Sequence, residues 1–288
     1  MEPAELRRRF RAILAGSTCV YPASVFDPVS ARIAGDLGYE AMMLAGSVAS
    51  MAVLGAPDIA VLTLTELAEQ VRRICRVATL PLLVDADHGY GNAFNVMRTI
   101  AELESAGAAA LTIEDTLLPR PFGGSDGVQL IPLDEGIGKM RAAIAGRRDK
   151  NLVVVGRTSA AAVNLEEAIM RTKAYTETGI DALFLSGVKS VEHVEAIASA
   201  TRLPLILGSL PAPNPSREYL TAKGVRVCLQ GNQTFPAAMH AVYQTMKALK
   251  DGVPAGKLDG IADAQTMSRL TAAQDYALWG RQFLGADA

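Results

Sequence analysis

The sequence predicts a (β/α)8 barrel, and three observations carry that expectation. Eight short apolar runs recur along the chain: 19–26, 41–45, 81–84, 110–113, 152–156, 182–186, 204–207 and 225–229. They are continuously apolar rather than alternating, as strands buried on both faces should be. Each is followed by an amphipathic stretch, at 29–37, 64–77, 93–106, 133–145, 165–178, 191–200, 215–223 and 235–250. Eight such units in about 250 residues is the typical barrel size.

Local signals place the joints. Gly38, Gly107, Gly179 and Gly224 stand where a helix must end before the next strand, and glycine takes the left-handed cap conformation most easily. Asp134, Asn164 and Ser190 are placed to cap helix starts. A doubly wound open sheet usually carries a Gly-rich phosphate turn after its first strand. Here the turn reads SVFDPVSAR, which is no such turn. The barrel is expected over 1–250. A helical extension, 251–288, carries Tyr276, Trp279 and Phe283 and needs something to pack on, its own barrel or a neighbour's.

Composition narrows the function. Half of the 288 residues are apolar, enough for a large core, and the net charge is −2. That balance gives no support for nucleic-acid or anionic-membrane binding. Cys19, Cys75 and Cys228 form no metal or redox spacing and read as core thiols of a reducing compartment. The start, MEPAELRRRFRAILAG, is charged and helical without the apolar core of a signal peptide, and no run is long enough to span a bilayer. The protein is expected to be soluble and cytoplasmic.

Barrel chemistry sits at the C-terminal strand ends. There the sequence places Phe26-Asp27, Gly46-Ser47, Asp85-Ala86-Asp87-His88, Glu114-Asp115, Arg157-Thr158 and Gln230-Gly231-Asn232. Carboxylates converging on one mouth repel unless something neutralises them. Asp85, Asp87 and Glu114 offer hard oxygen ligands with no His or Cys set nearby, which favours Mg²⁺ or Mn²⁺ over Zn²⁺. Asp85 and Asp87, two apart, would point the same way on a regular strand. The alternative is that these acids cap helices or pair with Arg157 or Lys139. Arg157 can grip a substrate carboxylate in a bidentate way, or form a structural salt bridge to Glu114. The Gly46-Ser47 turn can offer N–H groups and a hydroxyl to an oxyanion. His88 reads as a hydrogen-bonded strut, and His193 and His240 as surface or packing residues. The segment 116–130, long for a βα loop, reads as a lid.

The motifs DADHGYGN at 85–92, TIEDTLLP at 112–119, GSVAS at 46–50, SVFDPVSARIA at 24–34 and GRTSA at 156–160 together resemble the isocitrate lyase/phosphoenolpyruvate mutase superfamily. Within it the chain is most similar to the oxaloacetate decarboxylase branch. The resemblance implies a barrel whose last helix is swapped between partners in a dimer of dimers. It implies Mg²⁺ held near Asp85, with Asp87 and Glu114 mostly through water, Asp58 near the metal network, and Ser47 and Arg157 binding the substrate. Catalytic roles thus fall to Asp58, Arg157 and Ser47, and substrate contacts to Gly46, Ser47, Arg157 and Asn232. The implied reaction is Mg²⁺-dependent decarboxylation of oxaloacetate, a small 2-oxo dicarboxylate, to pyruvate and CO₂.

Two positions depart from the pattern. Lyases of the superfamily carry a catalytic cysteine in a K-K-C-G-H gating loop, whereas this loop reads Arg120-Pro121-Phe122-Gly123-Gly124. The decarboxylase branch has a His after Gly at the eighth strand end, where this chain has Asn232. Asn keeps a donor and an acceptor but cannot become cationic. The alternatives are a C–C lyase or hydrolase of a substituted malate, methylisocitrate-like compound or phosphonopyruvate, and a non-catalytic paralogue that binds 2-oxo acids.

Overall fold

The computed structural model describes residues 1–124, 126–208, 210 and 215–285. Ser125 of the expected lid and residues 286–288 of the expected tail lie outside the described residues. The chain divides into two compact units, 1–232 and 233–288.

The first unit is the barrel. Its strands are β1 (Ala23–Ser24), β2 (Met42–Leu44), β3 (Leu82–Asp85), β4 (Ala110–Glu114), β5 (Val153–Thr158), β6 (Ala182–Leu185), β7 (Leu205–Leu207) and β8 (Val225–Cys228). They form one parallel sheet in sequence order. Val20 closes it: its N–H donates to Arg226 O at 2.9 Å and its carbonyl accepts from Cys228 N at 3.0 Å. The first strand was expected over 19–26. Pro22 has no N–H to donate, so that run divides into the Val20 bridge on β8 and the short β1 ladder on β2.

The helices of this unit are α1 (Pro3–Ala15), α2 (Pro28–Asp36), α3 (Gly46–Leu54), α4 (Leu64–Cys75), α5 (Ala93–Ala106), α6 (Leu133–Gly146), α7 (Ala160–Val163), α8 (Leu165–Thr176), α9 (Val191–Ala198) and α10 (Arg217–Ala222). Gly38, Gly107, Gly179 and Gly224 all take positive φ, as the stop signals required. Asn164 and Ser190 cap α8 and α9. Asp134 does not cap: Pro132 precedes the helix, and Asp134 lies in the first turn of α6, where its charge still favours the helix dipole.

Strand parity divides the core. Leu82, Val84, Leu111, Val154 and Leu183 face the helices, while Met43, Leu83, Val153, Val155, Phe184, Ile206 and Val227 fill the barrel. Leu6, Phe10 and Leu14 of α1 pack into the same interior cluster. Arg7 donates to the carbonyls of Glu104 and Ala108 and pairs with Asp149 at 2.8 Å. Arg11 donates to the carbonyls of Asn151 and Leu152 and pairs with Asp181 at 3.0 Å. These groups precede β4, β5 and β6, so α1 covers the N-terminal end of the barrel.

The second unit holds α11 (Thr234–Lys250), a 3₁₀ turn (Ala255–Lys257), α12 (Ala264–Leu270) and α13 (Ala273–Leu284). Met239, Val242, Tyr243 and Met246 of α11 are exposed at helical spacing, and so are Tyr276, Trp279 and Phe283 of α13. No helix among the described residues is long and apolar enough to cross a membrane.

Candidate active site

The interior parity of Leu83 on β3, Ala110 on β4 and Val153 and Val155 on β5 carries forward to Asp85, to Thr112 and Glu114, and to Arg157. Those side chains therefore meet inside the barrel at its C-terminal mouth. Register fixes the neighbours: Asp85 pairs with Thr112, and Glu114 with Arg157. Asp85 and Glu114 are buried.

Asp85 is the hub. Thr112 Oγ1 donates to its Oδ1 at 3.0 Å, the Gly46 and Asp87 amides approach at 3.5 and 3.4 Å, and Arg157 NH1 closes on Oδ2. Burial alone would raise this carboxyl. The guanidinium and these hydrogen bonds outweigh it and hold Asp85 below the usual carboxylate range. The same acids push Arg157 up despite its burial. Arg157 also stacks over the Phe184 ring, 5.2 Å from the centroid. Arg157 thus stands at the mouth, as a substrate clamp would, and is also paired with Asp85 and Glu114, as the salt-bridge alternative had it.

Asp87 reaches the mouth differently from the expectation. β3 ends at Asp85, and Asp87 has φ +46°. A left-handed turn, not strand alternation, aims it. Its Oδ1 occupies the space a side chain at Gly46 would take: a Cβ there would stand 2.6 Å away. Burial first, then the charges of Asp85, Glu114 and Asp58, push the Asp87 carboxyl up to about 8. Burial pushes Glu114 up to about 7, against the lowering effect of Arg157. Asp58, exposed on the loop after α3, is raised by desolvation and by Asp85.

Four other expectations differ from what the structure holds. Gly46 and Ser47 are not a free turn but the first turn of α3, whose opening N–H groups have no intrahelical partner. Asp27 is no part of the mouth: its side chain accepts from Ser30 N and caps α2. Asp115 turns out of the barrel, where its Oδ2 accepts from Arg171 at 2.9 Å and Tyr175 OH at 2.7 Å. His88 is buried, its Nδ1 has no hydrogen-bond partner among the described residues, so that nitrogen makes no strut contact, and burial and then Lys139 push the ring down to about 4. Lys139 is buried on α6 and forms no ion pair with the acids among the described residues.

Asn232 lies at the end of the eighth strand region, half-buried, and its Nδ2 donates to Ser47 Oγ at 3.4 Å. Its Oδ1 accepts from Ser24 Oγ at 3.2 Å. Sequence reasoning passed over Ser24 and Thr112, although parity with Glu114 marked Thr112 as an interior residue. The expected lid leaves the barrel through a pinned neck. Thr116 and Leu130 form an antiparallel bridge, and Leu117 N donates to Gln129 O at 2.8 Å. Arg120 pairs with Asp126 at 2.6 Å. A cavity of about 340 Å³ lies between this segment and Asp58–Ile59.

The phosphoenolpyruvate phosphomutase family model matches residues 10–250. The chain belongs to the phosphoenolpyruvate phosphomutase family. Among family relatives, an oxaloacetate decarboxylase of Bradyrhizobium diazoefficiens is 53% identical over 97% of each chain. Among solved structures, oxaloacetate acetylhydrolase in complex with 3,3-difluorooxalacetate superposes with a TM-score of 0.87 at 28% identity, covering 100% of both chains. Phosphonopyruvate hydrolase in complex with oxalate and Mg²⁺ gives 0.86 at 26% identity, covering 99% of this chain and 100% of that one.

The mouth of this barrel is thus rich in carboxylate oxygens gathered around one arginine. The carboxyl groups of Asp58, Asp85, Asp87 and Glu114 all feel the charge of the Arg157 guanidinium. Glu114 Oε2 is buried and has no hydrogen-bond partner among the described residues. Among the described residues no three His, Cys, Asp or Glu side chains close into a ready-made cage. That donor set suits a hard divalent ion held by few protein atoms and several waters.

Proposed function

We propose that the chain is an oxaloacetate decarboxylase working with Mg²⁺, or Mn²⁺ as a substitute. The observation that carries this reading is the 53% identity, end to end, to a relative of that name. The chemistry of the mouth supports it. Asp85 would hold the ion directly, with Asp87 and Glu114 acting mostly through water and Asp58 at the edge of that network. The oxalate and Mg²⁺ together in a structural neighbour are consistent with a site for a 2-oxo carboxylate. When bound, the ion supplies Lewis-acid polarisation of the 2-oxo group.

The chain's own residues would do the rest. Arg157 grips a substrate carboxylate. The C3–C4 bond breaks, CO₂ leaves, and the electron pair flows to the C2 oxygen to give the enolate of pyruvate. The Gly46 and Ser47 amides at the start of α3, with the Ser47 hydroxyl, face that developing charge. Asn232 lines the same side of the mouth. The lid segment would shield the enolate from bulk solvent, and a proton from a water admitted to the mouth, added at C3, completes pyruvate. No step needs a thiol, in keeping with the absence of cysteine from residues 116–130.

The test is turnover with product identification. Purified protein with Mg²⁺ and oxaloacetate should yield pyruvate and CO₂ by NMR, faster than Mg²⁺ alone. No rate above that background would sink the reading. Oxalate and acetate as products would favour a hydrolase like the structural neighbour. Saturable oxalate binding without turnover would favour a non-catalytic binder. We also propose that the chain assembles as a dimer of dimers with C-terminal helices exchanged. The support is the exposed apolar stripe of α11, Met239, Val242, Tyr243 and Met246. Light scattering should give a tetramer mass, and charged substitutions at Tyr243 and Met246 should lower it.

A further inference from the structure

A hydroxyl has one proton to donate and two lone pairs. What the Ser47 hydroxyl can offer a ligand therefore depends on what its neighbours already take. In the barrel, Asn232 Nδ2 donates to Ser47 Oγ at 3.4 Å. That contact uses a lone pair and leaves the Ser47 proton free to be donated toward the mouth. In the same orientation the carboxamide accepts at Oδ1 from Ser24 Oγ at 3.2 Å. Ser24 sits on β1, 9% exposed, with an interior-facing side chain between the helix-facing Ala23 and Val25. Three elements distant in sequence, β1, the first turn of α3 and the end of the eighth unit, thus meet in one line of side chains.

We infer that Ser24 is a positioning residue for the proposed reaction. Through Asn232 it turns the Ser47 hydroxyl into a donor aimed at the substrate's oxyanion. The inference rests on the reading of Ser47 as a substrate ligand given above. It also gives the Asn at 232 a physical role. The carboxamide binds Ser24 and Ser47 at once, as acceptor and donor, and none of the three side chains titrates near neutral pH.

A double-mutant cycle tests this. Ser24→Ala should raise the KM for oxaloacetate, and the dissociation constant of oxalate with Mg²⁺, about three- to tenfold, the loss expected for one hydrogen bond. The same change in a Ser47→Ala background should do little, because the residue it acts through is gone. Ser24→Thr keeps the donor and should restore most of the affinity. A packing role for Ser24 would instead give equal effects in both backgrounds and a lower melting temperature. Equal effects, or no effect of Ser24→Ala alone, overturn the inference whatever the reaction. If the wild type binds oxalate but does not turn over oxaloacetate, the decarboxylase reading fails and the cycle is decided on oxalate binding. If it does neither, both fall.

Discussion

Arg157 and Glu114 face each other across the β4–β5 ladder, with Arg157 Nε 3.0 Å from Glu114 Oε2. The pair is close enough for a strong ionic contact yet misaligned for a hydrogen bond, so both atoms keep unmet bonding capacity. Arg157 also serves Asp85, which makes it the counter-charge of the whole mouth. Arg157→Met should abolish turnover. It should also lower the stability of metal-free protein by about 3–5 kcal/mol, the usual cost of stranding a buried charge. Mg²⁺ should recover part of that loss in a denaturant titration. A metal-free variant as stable as wild type would contradict this account of the site.

The raised carboxyls set a pH dependence. Asp87 and Glu114, near 8 and 7 without metal, hold protons that the unfolded chain would already have released above about 4. The folded metal-free protein therefore binds more protons than the unfolded one across that window, and its stability should fall as pH rises from about 5 to 8. A divalent ion replaces those protons. Its affinity should rise over the same range, and calorimetry in buffers of different ionisation heat should register proton release on binding. Binding that takes up no buffer-dependent heat would count against the assignment.

Two glycines separate function from folding. A Cβ at Gly46 would press on Asp87 Oδ1 at 2.6 Å. Gly46→Ala should leave the melt nearly unchanged but weaken Mg²⁺ about 10–100-fold, as displaced ligand-shell groups do. A Cβ at Gly136 would stand 2.2 Å from Tyr175 OH, inside the buried Asp115–Arg171–Tyr175 network. Gly136→Ala should cost about 1–3 kcal/mol of stability through overpacking. The reverse pattern would show the two clusters misassigned.

The thiols should be bystanders. Burial pushes Cys19 up to about 11 and Cys75 and Cys228 up to about 12. Thiolate is the reactive form, so alkylation at pH 8 should be slow in the native protein and fast in denaturant. Activity should survive N-ethylmaleimide. Inactivation by it would point to a thiol mechanism.

The lid segment offers a protease test. Phe122 is fully exposed beyond the pinned neck at Thr116 and Leu130. Chymotrypsin should cut after Phe122, and Mg²⁺ with oxalate should slow the cut several-fold if the segment folds over a filled mouth. Unchanged cleavage would argue for an inert surface loop.

The eight strands and their order were legible because each run is buried on both faces. Asp85, Glu114 and Arg157 were legible because strand ends gather at one mouth. What escaped depended on single backbone angles or on contacts distant in sequence. Asp87 owes its aim to one left-handed residue. Asp27 and Asp115 look like site acids in the sequence but satisfy a helix cap and a buried arginine. Ser24 acquires meaning only when β1 and the end of the eighth unit come together. The first turn of α3 was hidden because GSVAS, rich in small residues, has little amphipathic pattern.

Helix α1, with Leu6, Phe10 and Leu14 in the interior and Arg7 and Arg11 fastened to the strand starts, makes the barrel a well rather than a tunnel. Whatever enters must leave by the doorway it came through. If segment 116–130 acts as the proposed lid, a reaction that splits one molecule into two imposes a queue: the gas can slip past, while the larger acid must wait for the segment to lift. Substrate cannot load behind a departing product, so traffic at a single entrance, rather than bond breaking, is where this architecture can limit its own speed.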